Sequence, residues 1–501
     1  MSQSTQSKSI YVCGPTVYDH SHLGHARTYI MADMINRTLT NISGFNTHFV
    51  MNITDIDDKI IRKATESGGT WIDIAKIYEQ SFFDSMAKLN VALPDVIIRV
   101  SDVIPQIISY IQKIISNGFA YVTSDGSVYF DSQEYIRQGY IFDHSSNTID
   151  DEEIEYKSDL PESIAIQKKS KRDFALWKGR DQSDVGIEAT FIYQSNLIQS
   201  WGRPGWHIEC SAMIHETIGQ TLDLHLGGCD LEFPHHHNER LQAHAYYHPL
   251  FNKDNTWVDE FMHIGHLCIV VEDDQKKLVQ QKMSKSLKNF TTIDDALNVK
   301  QMDTNQIRWL FATHNWRDTM DFSDGTVSHA KIYDDVITNF LKRVTNYPFH
   351  RTHNTYIEKD HTMAKKFNEC KLAIISSLQS LRFDIMAVQL KELISQVHCY
   401  ISVDYPNEAL VRKISTWIFS MLDDIGFTYN KSTNSNSLDV VIMNALINAR
   451  SSLRTLTRDK SMPKEIKQKI FEILDRQRDV DLPTIGLTLC DTKDSSLWFK
   501  K

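Results

Sequence analysis

The first part of the chain restricts the fold most, because it predicts a strand, a glycine turn, a helix and a second strand in succession. An apolar run at 9–13 is ended by Gly14 and Pro15, residues 22–39 carry apolar side chains at helical spacing, and 46–51 form the next β-like run. Glycine and proline interrupt regular elements, which separates the three segments. This order is typical of a parallel α/β sheet, whose ligands bind beyond the carboxyl ends of the strands.

The remaining sequence extends this pattern and then changes character. Isoleucines at helical spacing over 103–117 are followed by a predicted hairpin at 121–130 and a charged loop at 150–153, and β-like apolar residues return at 221–226. From about residue 326 the pattern is helical. We therefore predict an α/β fold: a parallel-sheet, Rossmann-like domain with an insertion, followed by an all-α helical bundle and a small C-terminal region.

Composition excludes several classes of protein. Of 501 residues, 41% are hydrophobic and 24% charged, as in ordinary globular proteins rather than disordered or fibrous ones. We find no apolar run long enough to span a membrane and no leader-like N-terminus, and the seven cysteines fit a reducing compartment, so we expect a cytoplasmic protein. A net charge of -10 argues mildly against a nucleic-acid partner, although residues 458–469 form a basic stretch.

Four residues have the chemistry of a metal site. Cys13 ends the first strand, Cys210 lies far downstream, and His235 and Glu239 are four residues apart, which on a helix places both on one face. Two thiolates, an imidazole and a carboxylate suit tetrahedral zinc. From the residues alone, however, Cys13 is better explained as a small buried side chain, and residues 235–237 can be explained as a solvated helix start.

Two short motifs have the chemistry of phosphate binding. His22, Gly24 and His25 open the first predicted helix, where two imidazoles beside helix amides can hold a polyphosphate. Lys282 and Lys285 lie in the string KMSKS, a basic loop suited to a departing pyrophosphate. A second HxGH string at 263–266 is set aside because it lies inside an apolar run, 261–271, that predicts a strand.

Several of these strings together resemble the class I aminoacyl-tRNA synthetases, and among them the cysteinyl-tRNA synthetases. The matching strings agree in order and spacing from about residue 9 to 325, and they are residues 11–19, 22–25, 52–59, 202–211, 233–236 and 282–286. The C-terminal third resembles the family only loosely.

The resemblance implies roles for individual residues. It places Cys13, Cys210, His235 and Glu239 around one zinc ion that binds the thiolate of the substrate cysteine and so distinguishes it from serine. It gives His22, His25, Lys282 and Lys285 to catalysis. It assigns the binding of amino acid and ATP to a further set that shares Lys285 with the catalytic group: Gly14, Gly24, Thr54, Trp206, His225 and Asp230.

The resemblance also implies partners and a domain order. The substrates would be L-cysteine, ATP with Mg²⁺, and tRNA(Cys), bound by a monomer. Residues 1–117 and 198–255 would form two halves of a catalytic domain around a connective insertion at 118–197. The following segments would be a stem-contact region bearing KMSKS (256–325), a helical bundle (326–430) and an anticodon-binding region (431–501).

Departures from the family pattern leave two other functions open. The residues that differ are Leu226, Cys229, His237 and Lys288. A ligase that joins cysteine to an amino sugar would keep the same adenylation chemistry, but the long helical region argues against it. A non-catalytic, synthetase-like RNA-binding module would have no need of the histidines, lysines and metal ligands that this chain retains.

Overall fold

A computed structural model describes most of the chain. The described residues are 6–142, 167–251, 256–272, 278–283, 289–347, 349, 355–402, 406–429, 446, 449–450, 452–457, 462–482, 487–491 and 496–500. Residues 1–427 and 428–501 form two compact units. The predicted charged loop at 150–153, together with Lys285 and Lys288, lies outside the described residues.

A parallel five-stranded sheet forms the centre of the first unit, in the order β10-β9-β1-β2-β3. Its strands are β1 (Ser7–Val12), β2 (Asn46–Ile53), β3 (Val96–Arg99), β9 (Leu222–Gly228) and β10 (Val258–Ile264). The parallel sheet confirms the predicted fold class. The carboxyl ends of β1, β2, β9 and β10 meet at one edge, which is where the site lies.

Four helices follow the first strands, and the sequence explains them by a capping residue at the start or by an apolar face. They are α1 (Leu23–Arg37), α2 (Asp58–Ser67), α3 (Trp71–Lys88) and α4 (Ile104–Ser116). His22 and Asp57 cap α1 and α2 by accepting hydrogen bonds from backbone amides. The isoleucines of α4 that were read as helical are its buried face.

The insertion forms a second, antiparallel sheet in the order β4-β5-β6-β8-β7. Its strands are β4 (Ala120–Val122), β5 (Val128–Phe130), β6 (Ala175–Gly179), β7 (Ile187–Tyr193) and β8 (Asn196–Pro204), with α5 (Ser132–Arg137) between β5 and β6. The β4–β5 pair confirms the predicted hairpin. One hydrophobic core joins this sheet to the parallel sheet and includes Tyr11, Ile111 and Trp177.

Two helices after the insertion carry residues toward the parallel sheet: α6 (Trp206–Thr217) and α7 (His237–Tyr247). We predicted that Pro234 lies in the first turn of one helix with His235 and Glu239. A wide helical turn, Glu232–His236, leads directly into α7, and Phe233 has extended backbone angles, so the helical backbone starts at Pro234 as predicted. His235 and Glu239 face each other across the junction between the turn and α7.

The apolar run at 261–271 forms two strands, not the single strand that we predicted. β10 ends at Ile264, and β11 (Leu267–Glu272) belongs to a three-stranded sheet with β12 (Leu278–Lys282) and β13 (Met320–Asp321). Gly265 separates β10 from β11, and a Cβ atom there would lie 2.2 Å from the Asp318 carbonyl oxygen. Close backbone packing therefore explains the glycine of this second HxGH string.

Six helices follow in the described part of the first unit, and the helical pattern after about residue 326 predicted the last four of them. They are α8 (Ile293–Asn298), α9 (Thr304–Ala312), α10 (Asp324–Asn346), α11 (Glu358–Gln379), α12 (Phe383–Ile401) and α13 (Glu408–Asp424). Arg308 of α9 is fully buried; it pairs with Asp33 of α1 at 2.7 Å and donates to the Ile425 carbonyl at 2.9 Å. This contact joins α1 to the end of the bundle.

The second unit contains α14 (Lys464–Arg476) and a β-hairpin of β14 (Leu487–Asp491) and β15 (Ser496–Lys500). We did not predict this hairpin, which departs from the helical pattern that we expected beyond residue 326. None of the helices in the described part of the chain has the length and hydropathy that a membrane crossing requires.

Candidate active site

Four buried side chains converge at the carboxyl edge of the parallel sheet. Cys13 follows β1, Cys210 lies on α6, and His235 and Glu239 lie on the wide turn and on α7. Their donor atoms all lie within 4.8 Å of one another, and each residue is at least 95% buried. Segments that are far apart in sequence therefore place two sulfurs, one nitrogen and one oxygen around a single point.

The distances within this group fit shared ligation of one ion. The two sulfurs are 3.9 Å apart, and His235 Nε2 lies 3.1 Å from Glu239 Oε1. Although His235 Nε2 is near, Glu239 Oε1 accepts no hydrogen bond from the described residues, and it is buried. A buried carboxylate oxygen without a donor is unfavourable unless a cation compensates it, so the residues fit a bound metal.

Burial shifts the titration of these groups towards their neutral forms. It raises the pKa of Cys13 and of Glu239 well above their ordinary values, and it lowers the pKa of His235 to about 3, with a smaller contribution from His225. A divalent cation would favour the thiolate and carboxylate forms instead, since ligands bind deprotonated.

Two further histidines lie close enough to give an overlapping set of donors. Cys13, His225, His236 and Glu239 also have donor atoms within 4.8 Å of one another. His236 Nε2 lies 3.5 Å from Cys13 Sγ, and its Nδ1 contacts His263 Nε2 at 2.8 Å. His225 Nε2 lies 3.0 Å from Glu239 Oε2. The set with two thiolates matches zinc chemistry better than the set with one.

We predicted no role for His207, His236 or His263. His207 Nδ1 lies 3.0 Å from His235 Nδ1, on the far side of that ring from Glu239. A side chain that bonds to the second ring nitrogen of a metal-binding histidine fixes the orientation of that ring. The position of His263 near the end of a predicted strand could have indicated a site residue. We set this residue aside together with the second HxGH string.

The residues predicted to bind the amino acid lie beside this cluster. Thr54 is buried, and its Oγ1 lies 3.4 Å from Glu209 Oε2. Trp206 is 40% exposed and its ring centroid is 4.4 Å from that of His235, so it forms the outer edge of the group. His225 is fully buried behind Glu239 rather than at the surface.

Gly14, which follows β1, allows the chain there to approach strand β2 closely. Its N–H donates to Asn52 Oδ1 at 2.8 Å, and a Cβ atom at this position would lie 1.6 Å from the Asn52 carbonyl oxygen. Any side chain at residue 14 would push this segment away from β2. The glycine therefore controls the separation of Cys13 from the segment that carries Thr54.

The HxGH motif lies at the start of α1, as predicted. The His22 and His25 rings stack with centroids 3.9 Å apart, and His22 Nδ1 accepts from the Gly24 N–H at 3.1 Å. A Cβ atom on Gly24 would lie 2.8 Å from the His22 ring, so glycine is needed for this arrangement. The two stacked histidines lie at a helix amino terminus, a position that favours anions.

The two flanks of the KMSKS loop contact this region. Lys282 Nζ lies 2.9 Å from Asp230 Oδ2, and the Thr291 carbonyl accepts from the Leu23 N–H at 3.0 Å. Burial raises the pKa of Asp230, but the Lys282 ammonium outweighs it and leaves that pKa below its ordinary value. Lys282, Asp230 and the histidine pair therefore share one edge of the sheet.

The departures from the family pattern lie around these groups. Leu226 is buried in β9, and Cys229 Sγ belongs to a small cluster with Asp230 and His266. His237 is the first residue of α7 and its ring packs against Phe142 and Phe233. None of these three residues displaces a member of the four-donor group.

A parallel sheet with this helix start and with a lysine loop anchored on both sides is the architecture of class I aminoacyl-tRNA synthetases. Residues 1–332 match the family model described as "tRNA synthetases class I (C) catalytic domain". The chain is 48% identical over 500 residues to a cysteine–tRNA ligase of Acanthamoeba polyphaga mimivirus, covering 98% of this chain and 96% of that protein. The chain therefore belongs to the cysteine–tRNA ligase family of class I synthetases.

More distant relatives extend over nearly the whole chain. A cytoplasmic cysteine–tRNA ligase of Dictyostelium discoideum is 33% identical and covers 99% of this chain and 74% of its own length. The human cytoplasmic enzyme is 30% identical, with 96% and 77% covered. Among solved structures, a Mycobacterium tuberculosis methionyl-tRNA synthetase aligns with a TM-score of 0.54 at 13% identity, covering 84% of this chain and 90% of that one, which supports the fold alone.

Proposed function

We propose that the chain joins L-cysteine to the 3' end of tRNA(Cys) at the expense of ATP. The observation that carries this proposal is the buried Cys13–Cys210–His235–Glu239 group in a member of the cysteine–tRNA ligase family. Similarity to that family over 98% of the chain argues against the amino-sugar acceptor, which needs no such length of protein.

The four-donor group would hold Zn²⁺. When bound there, zinc supplies a sulfur-preferring Lewis acid that separates a thiol substrate from a hydroxyl one, a distinction that an apolar pocket makes poorly. The chain's own contribution is a dry, preformed site with Trp206 at its edge. Thr54 and Gly14 would orient the carboxylate and ammonium groups of the amino acid.

In the first step the cysteine carboxylate attacks the α-phosphate of ATP, giving cysteinyl-adenylate and pyrophosphate. The carboxylate is already a nucleophile, so the protein needs no general base. His22, His25, Lys282 and Lys285 would instead align the phosphates and neutralise the charge that develops on the leaving pyrophosphate. Mg²⁺ would enter with ATP, and Asp230 would contact the nucleotide.

In the second step the 2'-hydroxyl of the terminal tRNA ribose attacks the adenylate carbonyl, and AMP leaves. The helical region after residue 325 and the C-terminal unit would bind the rest of the tRNA. The predicted domain boundaries belong to this proposal, as do a monomeric state and a cytoplasmic location.

Two assays of the purified protein test the proposal. Cysteine-dependent ATP–pyrophosphate exchange should be present in zinc-replete protein, while serine should support it far less. Charging of fractionated tRNA should then be specific for cysteine and tRNA(Cys). Exchange without charging would favour a small acceptor, and absence of both would favour the non-catalytic RNA-binding module.

A further inference from the structure

Three cations converge on one carboxylate beside the candidate site. Lys178 Nζ and Arg180 Nη2 lie 3.1 and 3.4 Å from Asp58 Oδ2, and Arg203 Nη2 lies 2.5 Å from Asp58 Oδ1. The three cationic side chains are only 19%, 13% and 7% exposed. Cations at this depth are rare without full compensation, so their balance of charge matters.

The described partners of this cluster leave an excess of positive charge. Besides Asp58, one further carboxylate, Asp184, lies 3.5 Å from Arg180 and 3.4 Å from Arg203. Three cations thus face two carboxylates. Burial raises the pKa of Asp58, but the three cations outweigh burial and lower it to about 2, so Asp58 is ionised at neutral pH. Within ion-pairing distance, the described cations of the cluster therefore outnumber its carboxylates.

The cluster is built from the chain segments that form the amino-acid pocket. Lys178 on β6 pairs across the strands with Arg203 on β8, and β8 leads directly into Trp206. Asp58 begins α2, four residues after Thr54. The positive charge therefore lies at the rim of the pocket on the side of the insertion.

This place is separate from the predicted phosphate-binding groups for ATP. The histidine pair follows β1 and Asp230 follows β9, whereas Asp58 follows β2 on the other side of β1 in the sheet order. A pocket in which an RNA end reacts with an adenylate must also admit the phosphates of that RNA, and these must bind away from the nucleotide. The cluster has the charge and the location to bind them.

We propose that Lys178 and Arg180 bind a phosphodiester of the 3' acceptor strand of the tRNA. The incoming phosphate would share these cations with Asp58 through charge-assisted hydrogen bonds. Arg203 would instead position Asp58 and the neighbouring strands, because it is buried and also donates to the Val185 carbonyl. It is therefore a positioning residue. This inference rests on the proposed tRNA-charging function, since only the second step brings an RNA end to the pocket.

The test compares the two steps in Lys178→Met and Arg180→Gln. Asp58 keeps two cationic partners in either variant, which limits the effect on folding. We expect pyrophosphate exchange to be retained, whereas single-turnover transfer from preformed adenylate should need about ten times more tRNA. The slope of log affinity against log salt should also fall by about 0.7 for each phosphate that the variant no longer neutralises.

Lys8→Met provides a matched control. Lys8 pairs with Asp223 at 2.6 Å with both side chains 25% exposed, at the amino end of β1, away from the site. It should change neither step nor the salt slope. Lys178→Arg should restore most of the tRNA affinity, since a cation returns.

Three results would decide against the inference. Equal loss of exchange and transfer would make the cluster a structural clamp between α2 and the insertion. An unchanged tRNA requirement or an unchanged salt slope in both variants would exclude a phosphate contact. By contrast, absence of cysteine-dependent exchange in the unmodified protein would overturn the proposed function itself, which keeps the two failures distinguishable.

Discussion

The two ends of the candidate site differ in how they are built. At the amino-acid end, Cys13, Cys210, His235 and Glu239 are at least 95% buried and lie on regular elements or directly beside them. At the nucleotide end, Lys282 and Asp230 form an ion pair whose side chains are 42% and 50% exposed, on the flank of a loop. The amino-acid end is therefore buried, whereas the nucleotide end is partly exposed to solvent.

The difference fits the roles that we propose for the two ends. Selecting a sulfur atom requires donors held at constant separation, since small errors in distance remove the discrimination. Releasing pyrophosphate requires cations that can follow a departing group, which long flexible lysines do well. Substitutions should therefore affect binding and selection at the first end, and rate at the second.

The largest effect is expected from Cys210→Ser. Removing a hydrogen-bond partner of a metal ligand typically lowers metal affinity or activity by about 10- to 100-fold, and removing a ligand itself should cost more. Cysteine-dependent exchange should therefore fall by more than about 1,000-fold. Bound zinc, measured by elemental analysis, should fall with it. Cys399→Ser, at an exposed cysteine of α12, should change neither. Normal activation of cysteine by the Cys210 variant would remove that residue from the ligand set.

Lys282→Met should affect rate without affecting selection. Removing one group that stabilises charge in the transition state lowers kcat by about 100-fold, while zinc content and the KM for cysteine should be unchanged. Lys300→Met is a matched control, because Lys300 forms a similarly exposed pair with Asp324 at 2.9 Å. A raised KM for cysteine in the Lys282 variant would contradict the separation of the two ends.

His207→Ala should have a smaller effect on the amino-acid end. His207 contacts His235 from behind, and losing such a partner lowers metal affinity by about ten-fold. Competition with a zinc chelator measures this change directly. His48→Ala, at an exposed histidine, should leave zinc affinity as it is. Unchanged zinc retention in His207→Ala would mean that His235 is oriented by its other neighbours alone.

Asp230→Asn should change stability least of all. Its pair with Lys282 is half-exposed, so the free energy of unfolding should change by less than about 1 kcal/mol. Asp294→Asn, in the exposed Lys88–Asp294 pair, should behave alike in a denaturant titration. A loss of several kcal/mol for the Asp230 variant alone would show that the nucleotide end is as rigid as the amino-acid end.

The sequence predicted the fold because its signals are local. The glycine turn after β1, the isoleucine face of α4 and the hairpin of β4 and β5 each come from residues that are neighbours in the chain. Local signals also led to an error: residues 261–271 read as one strand, and only contact with the Asp318 backbone explains the break at Gly265.

The site depends on contacts that no local pattern encodes. Cys13 and Cys210 are 197 residues apart, and the motif resemblance, not their spacing, brought them together as a prediction. His236 and His263 contact each other only because the ends of β9 and β10 are adjacent. The Lys178 cluster was missed for the same reason, since its counterion Asp58 lies 120 residues away. The catalytic and ligand roles themselves stay predictions.

The buried Arg308–Asp33 pair has a mechanical consequence. Asp33 lies on the helix whose other end begins beside His22, and Arg308 also holds the Ile425 carbonyl where the bundle ends. Pulling these elements apart would leave a charge stranded in the interior, which costs about 3–5 kcal/mol. The helix that begins at the histidine pair is therefore coupled to the end of the helical bundle by a contact that is costly to break.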